Sequence, residues 1–335
     1  MNVTRRAGVR LEVIDPDDLG RNGAAALVLD PHCRPGALAA HRVLERRTLH
    51  LWAEGPGWRC LYPLVCTPTD GGWVARTPEY GGPWIDTPRD RAGDAARALR
   101  EALDAHLPAL GIVSEVFVLS VWLPHRPAVA AAWSTRSPRE VVVVTVPAGG
   151  PDPATWGSQR RRDLRRAGPA AVAVAPLDAA GAARFAARYR AWSARLGVEP
   201  RWQLGSEFFA ALVEAGADAH LAWWECEPGG AAAVLLTHGP RWSYAWVARW
   251  GEVPGATTAM LAGALRAAAR HGPAEVLLGG GRTDDPDDGL FSFKRTWGGR
   301  TVPLPVGARV YDPAGHDAAV RAGQARPLPG WAVSA

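Results

Sequence analysis

Apolar positions recur along this chain at two periods, one set by strands and the other by helices. Arg59–Pro68 (RCLYPLVCTP) and Gly71–Pro78 (GGWVARTP) are short apolar runs bounded by Pro, Asp and Gly, the pattern of a hairpin. From Asp90 to Leu107 the spacing lengthens, with Leu99, Leu103 and Leu107 four residues apart, which predicts a helix stopped by Pro108 and Gly111. Ser114–Leu123 (SEVFVLSVWL) and Glu140–Pro147 (EVVVVTVP) are continuous apolar runs and predict buried strands. Ala148–Gly157 is rich in Gly and Pro, so the domain boundary is placed there, with a first domain over 1–150.

The second half opens with a helix, Ser158–Gly168 (SQRRRDLRRAG), expected to be capped by Ser158 and ended by Gly168. A strand (170–177) and two helices (179–197 and 205–216) follow. Residues 219–250 form two or three antiparallel strands that turn at Pro228-Gly229-Gly230 and Gly239-Pro240. A loop, Gly251–Gly255, leads into a helix over 256–272, then a strand, AEVLLGGG, ending at Gly281. An acidic loop, a short helix carrying Lys294 and a strand over 300–310 complete a second domain, 151–312. The Pro-rich tail, 313–335, is expected to be loosely ordered. The class predicted is α+β, and this order of elements resembles that of the GNAT fold.

Composition changes this picture in one place. The chain has 335 residues, 47% hydrophobic and 21% charged, with net charge +5, which describes a globular protein with a full core and a modest preference for polyanions. Of 38 basic residues other than histidine only Lys294 is lysine. Arginine presents a planar fork and lysine a compact point charge, so a single retained lysine points to a site where one atom is met head-on. The four cysteines form no CxxC pair, so no metal or disulfide framework is expected, and reduced thiols suit a cytoplasmic protein. The N-terminus lacks the apolar stretch of a signal peptide, and no run approaches the ~18 apolar residues of a membrane span. Contact with a membrane is expected to be peripheral at most, and no DNA partner is expected.

Four stretches, EYGGPW, WGSQRRRDLRRA, GGAAAVLLTHGPRWSYAWVARW and LLGGGRTDDPDDGLFSFKRTWGG, together resemble the FemAB-like branch of the GNAT superfamily over roughly Gly57–Val310. That resemblance implies tandem GNAT-like domains, the first on the acceptor side and the second catalytic and on the donor side. It implies transfer of an aminoacyl group from aminoacyl-tRNA to the amine of a peptide, natural-product or cell-envelope precursor, with no bound cofactor. The lysine corresponding to Lys294 would assist transfer at the oxyanion or at a donor phosphate. The chain departs from the pattern in lacking a helical-hairpin insertion and in an abbreviated N-terminal portion, so acceptor identity does not carry over.

Several residues are candidates for the chemistry itself. Gly280 and Gly281 permit close approach of substrate to backbone, and Phe291 and Phe293 precede Lys294 on its helix. An ammonium aimed at the carbonyl oxygen under attack lowers the barrier to amide formation. Arg161 over Arg165, and Arg162 over Arg166, at i,i+4 spacing can hold phosphate oxygens or form a solvated face. Tyr80-Gly81-Gly82 either presents a ring to the acceptor or makes a structural turn. The loop before Ala256 stands where an acyl-CoA enzyme binds pyrophosphate, but Pro254 removes one N–H donor, which favours aminoacyl-tRNA over acyl-CoA. Trp246 and Trp250 flank Arg249 beside that loop. Asp284, Asp285, Asp287 and Asp288 do not match a calcium loop, and Asp287 or Asp288 is expected to cap the lysine helix. No histidine stands in a catalytic spacing, and the group that takes the amine proton is not visible. The alternatives are an acyl-CoA-dependent N-acyltransferase and a non-catalytic GNAT-like protein that binds RNA or an envelope precursor.

Overall fold

The computed structural model describes residues 3–6, 8–19, 23–44, 46–168, 171–198, 202–325 and 333–334. They fall into two compact units, 1–138 with 304–335, and 139–303. The chain thus divides near Pro138 rather than within 148–157, and residues 304–335 return to the first unit.

In chain order the first unit contains strands β1 (Val3–Arg6) and β2 (Val9–Ile14), short helices α1 (Ala24–Leu27) and α2 (Pro35–Ala39), then β3 (Arg47–Gly55), β4 (Trp58–Thr69), β5 (Gly72–Arg76) and β6 (Trp84–Asp86). Helix α3 (Ala92–Ala109), β7 (Ile112–Val118) and α4 (Arg126–Ala132) follow. The second unit contains β8 (Arg136–Val146), α5 (Ser158–Ala167), β9 (Ala173–Pro176), α6 (Ala179–Arg195), α7 (Ser206–Glu214), β10 (Ala219–Cys226), β11 (Gly229–His238), β12 (Arg241–Trp250), α8 (Ala256–Ala268), β13 (Ala274–Gly279) and α9 (Gly289–Arg295). Strand β14 (Arg300–Val310) carries the chain back to the first unit, which α10 (Pro313–Arg321) and β15 (Val333–Ser334) complete. Helix α10 lies in the stretch expected to be loosely ordered; it is held by packing of Ala319 and by a hydrogen bond between His316 Nδ1 and Ser114 Oγ on β7. The part of that tail over 326–332 lies outside the described residues.

Strands β1 to β5 form an antiparallel meander; β5 then runs parallel to β7, and β7 antiparallel to β14. Both faces of β4 are covered, which is why Cys60 to Cys66 reads as a continuous apolar run. Helix α3 buries Ala92, Ala95, Ala96, Leu99, Leu103 and Leu107 on one stripe. Pro108 falls inside its last turn instead of ending it, because there it forfeits a single hydrogen bond. On β7 the carboxylate of Glu115 is fully buried, accepting from the hydroxyls of Tyr62 and Tyr311 and from Arg100 at 2.9 Å.

Burial favours the neutral form of four histidines of this unit, His32, His41, His50 and His106. Burial, and then Arg42, pull His50 down to about 4, and neither ring nitrogen has a hydrogen-bond partner among the described residues. Burial pulls His32 down to about 3. An unfolded histidine takes its proton near 6.5, so between that value and about 4 the unfolded chain binds more protons than the folded one. Stability of the first unit is therefore expected to fall as pH drops through this window, and urea midpoints across it should show the loss. His50→Leu should reduce the dependence by its own share and leave that of His32, His41 and His106; an unchanged slope would contradict neutral burial of His50.

In the second unit the order is β8-β13-β12-β11-β10-β9, antiparallel except for the β12/β13 pair. Helix α8 is apolar around most of its circumference and packs across this sheet. Ser158 is the first helical residue of α5, with Gly157 before it and no side-chain cap, in place of the expected Ser158 cap. The expected cap of α9 is Asp288, which accepts from Leu290 and Phe291 N–H at 2.9 and 3.0 Å.

Candidate functional site

The parallel strands β12 and β13 are paired only from Arg241 to Ser243 against Glu275 to Leu277. Beyond Ser243 they part. On the other edge of β12 a bulge inserts Ala245 between Tyr244, opposite Leu235, and Trp246, opposite Val234. The extra residue breaks side-chain alternation, so Tyr244, Ala245, Trp246 and Val247 all reach the cavity that opens beside the diverging strands. Its volume is about 710 Å³.

Each neighbouring element contributes one face. Helix α6 gives Tyr189, Trp192 and Ser193, and its C-cap residue Leu196 continues them as an i, i+3, i+4, i+7 stripe. The start of α8 gives Gly255 to Thr258, and α9 gives Gly289, Leu290, Phe293 and Lys294. Helix α5 gives Arg160 and Asp163. Tyr244 is nine-tenths buried, and burial raises its phenol above the usual range.

Lys294 is where the sequence pattern pointed. It is only 8% exposed, and its ammonium donates to the carbonyl of Gly280 at 2.7 Å, just past the end of β13. Gly279 has φ +79°, which lets the strand turn there and leaves the next carbonyl turned to the helix. A side chain at Gly281 would meet the carboxylate of Asp288 at 2.7 Å, so this glycine serves the helix cap. Burial works against the charge of Asp288, but the backbone N–H groups of Phe291, Arg282 and Leu290, and the charge of Arg282, hold its carboxyl below the usual range. The far end of α9 is anchored by Trp297, edge-on to Trp156 at 4.8 Å, and by Gly157 N–H bonding Thr296 at 2.8 Å. Lys294 is thus positioned from both ends of its helix.

The arginines are distributed differently from the i,i+4 reading. The inward residue of α5 is Arg160, on the side marked by Leu164 and Ala167 at i+4 and i+7. Its guanidinium lies over the Phe293 ring at 4.6 Å and meets Thr258 at 3.2 Å and Asp163 at 3.3 Å. Burial lowers its pKa and Asp163 opposes that. Arg161 turns back to the carbonyls of Ala154 and Trp156, Arg162 bonds Gln159 at 2.6 Å, and Arg165 is exposed. None of these three lines the cavity.

Of the other candidates, Trp246 and Arg249 line the cavity, with Trp246 edge-on to Phe208 and Phe209 and Arg249 paired to Glu252 at 3.5 Å. Phe291 is buried beneath Arg295 and supports α9 instead of facing the cavity. Tyr80, Gly81 and Gly82 belong to the first unit: the Tyr80 carbonyl accepts from Cys33, Gly81 bridges to Leu119, and Gly82, at φ +125°, packs on Leu123. That stretch is a packed turn. Arg160, Tyr244, Arg282 and the α6 stripe were not singled out in the sequence; only the stripe carried a legible signal, in its spacing.

Among the described residues no three His, Cys, Asp or Glu side chains group as metal ligands would, and no helix is long and apolar enough to cross a membrane.

No family model and no curated protein matches this chain. Solved structures do. FemX aligns over 88% of this chain and 96% of its own, with TM-score 0.64 at 13% identity. The C-terminal domain of a putative lysylphosphatidylglycerol synthetase from Agrobacterium fabrum aligns over 94% and 99%, with TM-score 0.56 at 14% identity. A tandem GNAT protein from the clavulanic acid biosynthesis pathway aligns over 90% and 98%, with TM-score 0.51 at 12% identity. The fold is therefore a mixed α/β, tandem GNAT-like one, shared with FemX.

Proposed function

We propose that this protein is an amide-forming acyltransferase whose second unit moves an aminoacyl group from aminoacyl-tRNA to an amine. The observation that carries the reading is Lys294, a buried ammonium fixed on the Gly280 carbonyl at the wall of the cavity beside β12. In the reaction the amine nitrogen attacks the ester carbonyl, a C–N bond forms, the C–O bond breaks, and the amine proton leaves with the departing hydroxyl. Negative charge builds on the carbonyl oxygen, and a fixed cation beside it lowers the barrier. The acceptor would be the amine of a peptide, natural-product or envelope precursor.

Two observations support tRNA as donor. Pro254 lacks an N–H, and the Ala256 N–H is already bonded to the Val253 carbonyl at 3.3 Å. Both leave the loop poorer in open N–H groups than a pyrophosphate needs. Exposed Arg162 and Arg165 suit a polyanion whose charge extends beyond the cavity. The start of α8 on the cavity wall favours the second reading, an acyl-CoA donor.

Purified protein incubated with charged total tRNA and cell extract is expected to consume the aminoacyl ester, and RNase should abolish the transfer. Saturable CoA binding that raises Tm, with no salt-sensitive tRNA binding, would promote the acyl-CoA reading instead. Arg160→Ala is expected to weaken donor binding roughly tenfold, because a guanidinium hydrogen-bonded to an anion contributes more than a neutral pair. Arg161→Ala should change it little, since that side chain serves the preceding turn. Titrations of both variants check this, and equal losses would return α5 to a diffuse basic surface.

A further inference from the structure

The walls of the cavity say more about the group transferred than about the donor that delivers it. Trp246 is held edge-on by Phe208 at 5.2 Å and Phe209 at 5.8 Å, so its ring is fixed. Facing β12 is helix α6. There the Tyr189 hydroxyl donates to the Trp202 carbonyl at 2.8 Å, leaving the ring as cavity wall. Trp192 and Leu196 continue the same helical stripe, and Leu196 is 44% exposed, one of two large hydrophobic side chains that open to solvent among the described residues. Leu196 and the Trp246 ring, with the edge of Trp192, whose ring Arg195 overlies at 4.6 Å, offer apolar surface that a group entering the cavity would cover.

Charge selects further. Four cationic side chains, Arg160, Arg249, Arg282 and Lys294, line this space against one carboxylate, Asp163. That carboxylate is already engaged by Gln159 at 2.6 Å and Arg160 at 3.3 Å. A basic side chain entering here would find repulsion and no open acid. A small side chain would leave the indoles wet.

We infer that the transferred group carries a large, uncharged apolar or aromatic side chain, seated between Trp246 on β12 and the Tyr189–Trp192–Leu196 stripe of α6. This rests on the proposed acyl transfer for its biological meaning, but the seat itself can be tested without transfer.

Two probe series separate the questions. In the first, 3′-aminoacylamino-3′-deoxyadenosines carrying phenylalanyl, leucyl, alanyl or lysyl groups are titrated calorimetrically into the full chain; their shared α-amino group drops out of the comparison. In the second, the N-acetyl amides of the same amino acids are used, with no nucleoside. The phenylalanyl and leucyl members should bind about tenfold or more tightly than alanyl, with lysyl weakest, since burying such a side chain in an apolar seat is worth at least that factor. Leu196→Glu, at an exposed position that should not disturb folding, is expected to remove most of the preference for phenylalanyl over lysyl. Trp246→Ala should collapse the order of size.

If the amides keep the order while no tRNA-derived ester is consumed, the seat stands and the donor reading fails. If transfer occurs but phenylalanyl and alanyl members bind equally, or neither binds in either series, the seat is overturned. A size order that persists unchanged in both variants, each with native circular dichroism, overturns it as well.

Discussion

Lys294→Arg is expected to leave the second unit folded and to cut transfer about a hundredfold to a thousandfold, the loss typical of removing a donor aimed at a developing oxyanion. The ammonium donates to the Gly280 carbonyl at 2.7 Å from a residue only 8% exposed, at the wall of the cavity. A guanidinium is wider and planar, so it cannot keep the Gly280 contact and also present one N–H to the reacting carbonyl. Lys294→Met keeps most of the volume and removes the charge, and should lose at least as much. Consumption of charged tRNA measures both variants, with circular dichroism and Tm as checks on folding. Near-normal turnover of either folded variant would end the catalytic role of this lysine.

Glu115→Ala is expected to destabilise the first unit by about 3–5 kcal/mol, the range for breaking a buried ion pair from one side. The carboxylate is fully buried, and Arg100, only 5% exposed in its side chain, meets it at 2.9 Å. Burial works against the charge of Arg100, but Glu115, Tyr311 and Asp104 outweigh it and raise its pKa. Burial, and then the Glu115 charge, hold the phenols of Tyr62 and Tyr311 above their usual range, so both remain donors. Removing Glu115 leaves the buried guanidinium with Asp104, at 2.8 Å, as its one remaining carboxylate among the described residues, and leaves two hydroxyls without their acceptor. Urea unfolding followed by hydrogen exchange at β7 and α3 gives the magnitude. A loss below about 1 kcal/mol would mean that Asp104 alone satisfies Arg100, and Glu115→Gln should be the milder change because one acceptor oxygen survives.

Much of the architecture was legible because local periods were strong. The stripe of α3, the runs of β4 and β8, and the glycine-ended β13 followed by Lys294 were each set by spacing or composition within one element. Asp288 was legible as a cap because an acidic residue before an apolar helix has few other uses. Where the reading missed, two or more elements had to be known together. On α5 the i,i+4 arginine pairs suggested a phosphate grip, yet which side of a short basic helix faces inward depends on where Leu164 and Ala167 find a partner, and that partner is α8.

Helix α10 went unread because its apolar positions are few, and its order comes from contacts such as Ser114–His316, two hundred residues apart in sequence. The return of residues 304–335 to the first unit is likewise a long-range fact: β14 pairs with β7, and no local signal marks that choice.

The sequence by itself determined the class of fold and its one unusual side chain, since periodicity, glycine placement and a solitary lysine are all local properties. Only the tertiary structure decided what that lysine faces. The parting of β12 from β13 after three paired residues, and the bulge at Ala245, create the cavity, and both arise from how separate strands fit together. The aromatic wall from α6 and β12 and the inward turn of Arg160 follow from the same packing, which no window along a single element contains.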